Sequence, residues 1–165
     1  MSELVPASKG RAVGKAGAME ESRQFVSIFI ADQMFGIPVL LVHDVLGPQR
    51  ITRIPLAPPE VAGSLNLRGR IVTAVDVRTR LGLETRPRDV EGMSVVVEHL
   101  GEFYSLMVDT VGEVLSLAGS DFERNPATLD QRWRDVSQGI FRLDQELLVV
   151  LDVDRLLEFT RVEAA

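Results

Sequence analysis

The stretch "SLNLRGRIVTAVD", residues 64–76, indicates the fold class, because a short polar segment is followed directly by a short apolar one. The polar segment is Asn-Leu-Arg-Gly, and the apolar segment after it ends at Asp76. Such a run, bounded by turn residues, is typical of a buried strand. We therefore predict a strand over residues 69–76 and a short helix over residues 77–83. Asp76 is expected to accept hydrogen bonds from free N–H groups at the start of that helix.

The same order of strand, aspartate and short helix occurs again near the end of the chain. "RIVTAVDVRTRLGL" (70–83) and "ELLVVLDVDRLLEF" (146–159) align Asp76 with Asp152. A third predicted strand also ends in an aspartate, Asp109. Aspartate at such a boundary suits a helix N-cap or a turn, and we expect one of these roles for all three residues. The weak internal repeat favours two small barrels over one.

The rest of the chain shows short apolar segments separated by turn residues. Nine or ten short strands with very little helix are expected, a pattern typical of small barrels or a sandwich. The further strands are a hairpin over 24–38 that turns at Asp32-Gln33, a hairpin over 93–109 that turns at 100–102, a strand over 111–117, and a hairpin over 139–152 that turns at Asp144-Gln145.

Three segments are less regular. Residues 39–46, "VLLVHDVL", could extend a strand or form a helical turn, and periodicity leaves both open. Pro59 is expected to begin a short helix over residues 59–63, because proline is favoured at the first helical position. Residues 118–138 are expected to form a long connection rich in loops.

The composition is that of an ordinary globular protein. The 165 residues are 45% hydrophobic and 25% charged, which predicts one domain or two small subdomains sharing a core. The absence of cysteine excludes disulfides, thiolate metal sites and cysteine nucleophiles. No signal peptide or apolar run of membrane-spanning length is recognised, so we expect a soluble, cytoplasmic protein without membrane insertion. Residues 1–23 are expected to form a flexible tail.

Charge is distributed unevenly along the chain. The net charge is −6, yet residues 50–88 carry eight arginines against three acids, while residues 89–165 carry six arginines against sixteen acids. The arginine-rich segment could face an anionic partner, or the two charge sets could face each other or solvent. Nucleic acid is not an expected partner, because aromatic residues are only 5% and none alternates with the arginines.

The usual groups of an active site are scarce. The only histidines are His43 and His99, and no nucleophile elbow or phosphate-binding glycine loop occurs. Glu98, His99 and Glu102 flank a predicted turn at spacings that do not suit a metal. We therefore predict no catalytic residue, no metal site and no cofactor.

Arg68 is the residue of the opening stretch for which we expect an ion-pair partner. Its planar guanidinium can bind a carboxylate through two parallel hydrogen bonds. Asp44 is a candidate, since it also ends an apolar run before a Gly-Pro pair. The alternative is an exposed arginine without a fixed partner.

Residues 52–83, "TRIPLAPPEVAGSLNLRGRIVTAVDVRTRLGL", resemble the signature region of CheW-type chemotaxis coupling proteins. Further matching segments occur in the family's order, at residues 25–47, 100–117 and 147–159. The resemblance implies a mainly β fold of two small five-stranded SH3-like β-barrels packed side by side, with short helices, one of them at the C-terminus. It places the domain at residues 24–159, with an internal boundary near 85–92 and a tail at 160–165.

The resemblance also implies a function without catalysis. Such proteins bridge the cytoplasmic tip of methyl-accepting chemoreceptors to the regulatory domain of the histidine kinase CheA, in arrays at the membrane. The positions that match the family's partner-binding residues are Val42, Asp44, Val45, Gly63, Asn66, Leu67, Arg68 and Gly69. Asp44 stands where the family commonly has glutamate, and Gly63 matches a glycine that ends a short helix.

Other interpretations stay open at this point. They are a CheW-like scaffold in a chemosensory pathway that does not control flagella, a fragment of a larger CheW-domain protein, an unrelated small-barrel binding module, and an enzyme.

Overall fold

The protein is described by a computed structural model that covers residues 22–84 and 92–159. Most of the predicted N-terminal tail, most of the polar gap near 85–92 and the tail at 160–165 lie outside these residues. Ten strands and three short α-helices follow one another along the described chain. They are β1 Ser22–Ile30, β2 Gln33–Pro38, β3 Val42–Leu46, β4 Val61–Leu67, β5 Arg70–Asp76, α1 Val77–Arg80, β6 Met93–His99, β7 Glu102–Val108, β8 Thr110–Ala118, α2 Gln131–Arg134, β9 Ser137–Arg142, β10 Leu147–Leu151 and α3 Val153–Leu156.

The strands form two five-stranded sheets that are intertwined in sequence. The first sheet has the order β8-β1-β2-β10-β9 and the second has the order β3-β6-β7-β5-β4. Each contains one parallel pair, β2 with β10 and β5 with β7, among antiparallel neighbours. The prediction of a mainly β fold with two five-stranded units is confirmed.

Two details of that prediction need correction. Among residues 22–84 and 92–159 the strand pairings leave each sheet open, so neither unit forms a closed barrel there. The predicted boundary near residues 85–92 does not separate the units, because β5 and β6 on either side of it belong to the same sheet. The chain passes between the sheets after β2 and again between β7 and β8.

One hydrophobic core joins the two sheets. Its buried side chains include Val26, Ile28 and Phe35 from the first sheet and Val95 and Leu106 from the second. These residues alternate with outward-facing ones or lie in fully buried runs, as expected for strands covered on one or both faces. The two units therefore share a core, in agreement with the composition.

Three hairpins turn through pairs of residues with positive φ. The pairs are Ala31-Asp32, Arg68-Gly69 and Leu100-Gly101. Two consecutive positive φ angles define the type I′ turn, whose twist matches that of the flanking strands. The predicted first hairpin is confirmed, with its turn one residue earlier than expected, since Gln33 already belongs to β2.

The aspartates of the sequence repeat have two different roles. Asp76 and Asp152 each accept a backbone hydrogen bond at the start of a helix, so both predicted N-caps are confirmed. Asp109 differs, because β8 and not a helix follows it. Its carboxylate accepts hydrogen bonds from Arg78 Nε at 2.9 Å and Nη2 at 2.6 Å, and from the Ala31 N–H at 2.9 Å. The hydrogen bonds that Arg78 donates to the Asp109 carboxylate raise the pKa of the Arg78 guanidinium above its ordinary value.

The structure shows which form two of the less regular segments take. Residues 39–46 contain both proposed forms, a 3₁₀ turn at Val39–Leu41 followed by β3. The predicted helix at 59–63 is wrong, because β4 begins at Val61. Thr52 explains this, since its N–H and C=O exchange hydrogen bonds of 2.8 Å with Ser64 and hold the segment extended.

Candidate protein-interaction surface

The candidate surface lies where the β4–β5 hairpin approaches strand β3. Arg68 occupies the first position of the hairpin turn, and its Nη2 atom lies 3.0 Å from Asp44 Oδ2 on β3. The predicted partnership of Arg68 with Asp44 is therefore present. Asp44 Oδ2 accepts no aligned hydrogen bond from the described residues, so the pair is an ion pair and not the two-bond clamp that arginine can form.

The exposure of the two side chains determines how much this ion pair contributes to the free energy of folding. The Arg68 side chain is 78% exposed and the Asp44 side chain 25% exposed. An ion pair with one partner in water contributes at most about 1 kcal/mol to folding. Arg68 is therefore available to a binding partner at little cost to the fold.

Asn66 and Gly69 shape the turn that carries Arg68. Asn66 Oδ1 accepts a hydrogen bond of 2.9 Å from the Gly69 N–H. Gly69 has φ +84, a conformation that side chains disfavour, and nothing lies within 4 Å of where its Cβ would be. The Asn-Leu-Arg-Gly motif therefore encodes a tight turn that presents arginine at its tip.

The β3 positions of the motif sit at the edge of the second sheet. Val42 is half-buried and packs against the core, whereas Val45 is 39% exposed. Asp44 Oδ1 accepts a hydrogen bond of 2.9 Å from the Val45 N–H, which fixes the carboxylate at this edge. The structure thus brings β3 and the hairpin turn together.

Gly63 is not part of this group. It lies inside β4 with φ +150 and ends no helix, so the helix-ending role implied by the resemblance is wrong. A Cβ at this position would lie 2.2 Å from the Thr52 carbonyl oxygen and 2.7 Å from Ile51 Cγ2. Gly63 therefore permits the close approach of residues 51–52 to the β4 edge.

A cavity of about 270 Å³ opens beside the Arg68–Asp44 pair. The Arg70 guanidinium stacks over the Phe103 ring at 4.3 Å, and the His43 ring meets the same ring edge-on at 4.7 Å. His43 Nε2 lies 3.3 Å from Glu98 Oε1. The lining residues are His43, Asp44, Leu67, Arg68, Arg70, Val72, Val96 and Phe103.

Sequence reasoning missed Arg70, His43 and Phe103 as members of this surface. Arg70 carried a weak signal, since it follows Arg68 by two residues at the start of a strand. His43 and Phe103 carried none, because they reach the cavity from β3 and β7, which are distant in sequence.

The arrangement suits recognition of a protein. An aromatic ring, apolar side chains and arginines around a shallow cavity are enriched where proteins bind one another. Among residues 22–84 and 92–159, no group of three histidines or carboxylates could hold a metal ion. Over the same part of the chain, no helix is long and apolar enough to cross a membrane.

The fold and the surface define a class of protein: an interaction module of two intertwined β-sheets. A family model for the CheW-like domain matches residues 24–161. The chain belongs to the CheW-like family. Membership makes it a chemotaxis coupling, or scaffold, protein of a non-catalytic family that couples chemoreceptors to the kinase CheA.

Individual relatives agree with this assignment. A chemotaxis protein CheW of Helicobacter pylori is 27% identical over 139 residues, covering 84% of each chain. Protein PilI of Pseudomonas aeruginosa is 31% identical over 117 residues, which span 71% of this chain and 66% of that protein. The crystal structure of the scaffolding protein TtCheW from Thermoanaerobacter tengcongensis superposes with a TM-score of 0.74 at 29% identity, covering 82% of this chain and 92% of that one.

Proposed function

We propose that this chain links the cytoplasmic tip of methyl-accepting chemoreceptors to the regulatory domain of a CheA-type histidine kinase, in arrays at the membrane. The observation that carries the proposal is the Arg68–Asp44 pair at the mouth of the cavity, because both residues stand at positions that match the family's partner-binding motif. In this proposal Val42, Asp44, Val45, Leu67 and Arg68 form the contact surface.

The chemistry of the surface supports a helical partner. A receptor tip is a helical hairpin, and an amphipathic helix binds by placing apolar side chains into a groove while charges meet at the rim. Leu67 and Phe103 supply the apolar floor, while Arg68 and Arg70 supply donors for carboxylates at the rim. Asn66 and Gly69 contribute indirectly, by holding the turn that presents Arg68.

A pull-down with a receptor cytoplasmic fragment and the kinase tests the proposal. We expect the wild-type chain to capture both partners at micromolar concentration, and Arg68→Ala to weaken capture of at least one of them about tenfold. Arg142→Ala is the matched control, because Arg142 at the end of β9 in the first sheet forms an exposed ion pair with Glu123. Failure of the wild type to bind either partner refutes the proposal.

A further inference from the structure

We propose that the loop of residues 53–60, named here the Leu56 loop, is a self-association surface through which two copies of this chain pair about a twofold axis. The loop precedes β4, whereas the Arg68 turn follows it. A seven-residue strand spans about 20 Å, so the two surfaces are separate. The inference is independent of receptor or kinase binding.

Leu56 is presented in an unusual way. Leu56 is fully exposed, and its φ is +64. The Ala57 N–H donates a hydrogen bond of 3.3 Å to the Ile54 carbonyl, so residues 54–57 form a turn with Pro55 second and Leu56 third. That position of a type II turn favours glycine or asparagine, and a leucine there is unfavourable for both backbone and solvation.

The loop is held rigidly on both sides. Thr52 is joined to Ser64 of β4 by two hydrogen bonds of 2.8 Å, and the Asp76 N–H donates to the Glu60 carbonyl at 2.8 Å. The Val61 N–H donates to the Pro58 carbonyl at 2.9 Å and closes a second turn. Leu56 is therefore a fixed apolar projection, and presenting it to a partner requires little ordering of the chain.

A cavity of about 720 Å³ lies directly beside this projection. Its apolar lining includes Val61, Ala62 and the prolines of the loop, and Ile54 at its margin is 41% exposed. Arg53 and Asp76 line the same cavity, so side chains of both charge signs border it.

These features are self-complementary, which identifies the occupant as a second copy. In a twofold dimer a residue i on one copy meets residue j on the other, and the reverse contact is made as well. Leu56 of each copy would enter the cavity of the other, and each Arg53 would face the other copy's Asp76. A projection, an adjoining cavity and side chains of both charge signs at that cavity are the features that such a dimer requires.

Sedimentation equilibrium of the full chain, up to millimolar concentration, tests the inference. We expect a monomer–dimer equilibrium, and we expect Leu56→Asn to weaken it at least about tenfold, because a buried leucine contact is lost in each half of the dimer. Asparagine tolerates the left-handed conformation, so the same variant should keep or raise the melting temperature, by about 3 °C.

Leu100→Asn is the matched control. Leu100 is also exposed, at 68%, and also has positive φ, at +53, but it lies in the β6–β7 turn. This variant should leave dimerisation unchanged. Asp76→Asn adds a second check, since asparagine still caps α1 while the charge that faces Arg53 is lost. We expect it to weaken the dimer severalfold.

Three results would overturn the inference: a monomer at every concentration, a dimer unaffected by Leu56→Asn, or equal weakening by Leu100→Asn. A monomeric wild type that loses capture of a receptor fragment on Leu56→Asn would assign the loop to a different partner. If the inference is correct, Leu56→Asn should capture receptor and kinase as well as the wild type does. The two experiments therefore distinguish failure of this inference from failure of the proposed function.

Discussion

Arg68 and Asp44 connect the two opposite edges of a single sheet. Asp44 belongs to β3 and Arg68 to the β4–β5 turn, and β3 and β4 are the first and last strands in the order β3-β6-β7-β5-β4. The backbone does not close this sheet, yet its ends come close enough for a side-chain contact of 3.0 Å. The strong twist and coiling of short sheets brings such edges together. A side-chain pair thus bridges the gap that a barrel would close with a strand pair.

This relationship predicts that Arg68→Ala separates binding from stability. Arg68 is largely exposed, so its loss should lower the free energy of unfolding by less than about 1 kcal/mol. Binding to the receptor fragment or the kinase should weaken at the same time, as measured by titration calorimetry and denaturant unfolding. Wild-type binding combined with a large fall in melting temperature would instead make Arg68 a structural tie.

The Arg78–Asp109 pair should behave in the opposite way. Both side chains are only 17% exposed, and Arg78 also donates a hydrogen bond of 2.9 Å to the Glu84 carbonyl. Asp109 joins α1 to the turn of the β1–β2 hairpin, so the pair links elements of both sheets. We expect Arg78→Ala to lower the free energy of unfolding by about 2–4 kcal/mol, because a partly buried carboxylate loses its only cationic hydrogen-bond donor among the described residues and keeps the Ala31 N–H.

Arg155→Ala is the control for this prediction. Arg155 lies 3.6 Å from Asp152, and its side chain is 56% exposed. The loss should stay below about 1 kcal/mol in the same denaturant titration. Equal losses in the two variants would show that Arg78 has no special structural role.

Gly63→Ala should destabilise the fold without any partner being present. The added Cβ would approach the Thr52 carbonyl oxygen to 2.2 Å, and φ +150 is itself unfavourable for alanine. Backbone displacement together with this strain should cost about 2–4 kcal/mol, measured as a shift in the denaturant midpoint. Gly47→Ala serves as comparison, since nothing lies within 4 Å of its Cβ position. If Gly63→Ala folds with wild-type stability but fails to bind receptor or kinase, Gly63 belongs to the contact surface.

Asp130 should titrate well below an ordinary aspartate. Hydrogen bonds from the Arg132 side chain and backbone lower the pKa of its carboxyl from 3.8 to about 2. Because the folded-state pKa is depressed, the stabilising contribution is present above the unfolded pKa and is lost as the pH falls from near 4 towards 2. An NMR titration of the Asp130 carboxyl checks this.

Arg132→Gln provides the matched test for Asp130. It removes the guanidinium but keeps the backbone N–H that donates to Asp130 Oδ1 at 2.9 Å. The pKa of Asp130 should therefore rise most of the way towards 3.8, leaving a small remaining depression. An unchanged pKa would contradict the assignment of the shift to the Arg132 side chain.

Local patterns in the sequence carried much of the fold. The β5 strand, its aspartate cap and the hairpin turns each depend on a few adjacent residues, and all are present. The predicted helix at 59–63 failed because the bridge between Thr52 and Ser64, twelve residues apart, outweighs the local preference of Pro59.

The sequence by itself therefore determined most of the strands, the aspartate caps at Asp76 and Asp152, and the family, but not β4 or the turn at Arg68-Gly69. Only the tertiary structure decided that the sheets stay open, that Gly63 serves packing, and that Phe103 and His43 join Arg70 at the cavity. The physical reason is the distance along the chain over which each interaction acts. Turn and cap preferences act over a few residues, whereas sheet order and edge contacts depend on which distant segments a shared core brings together.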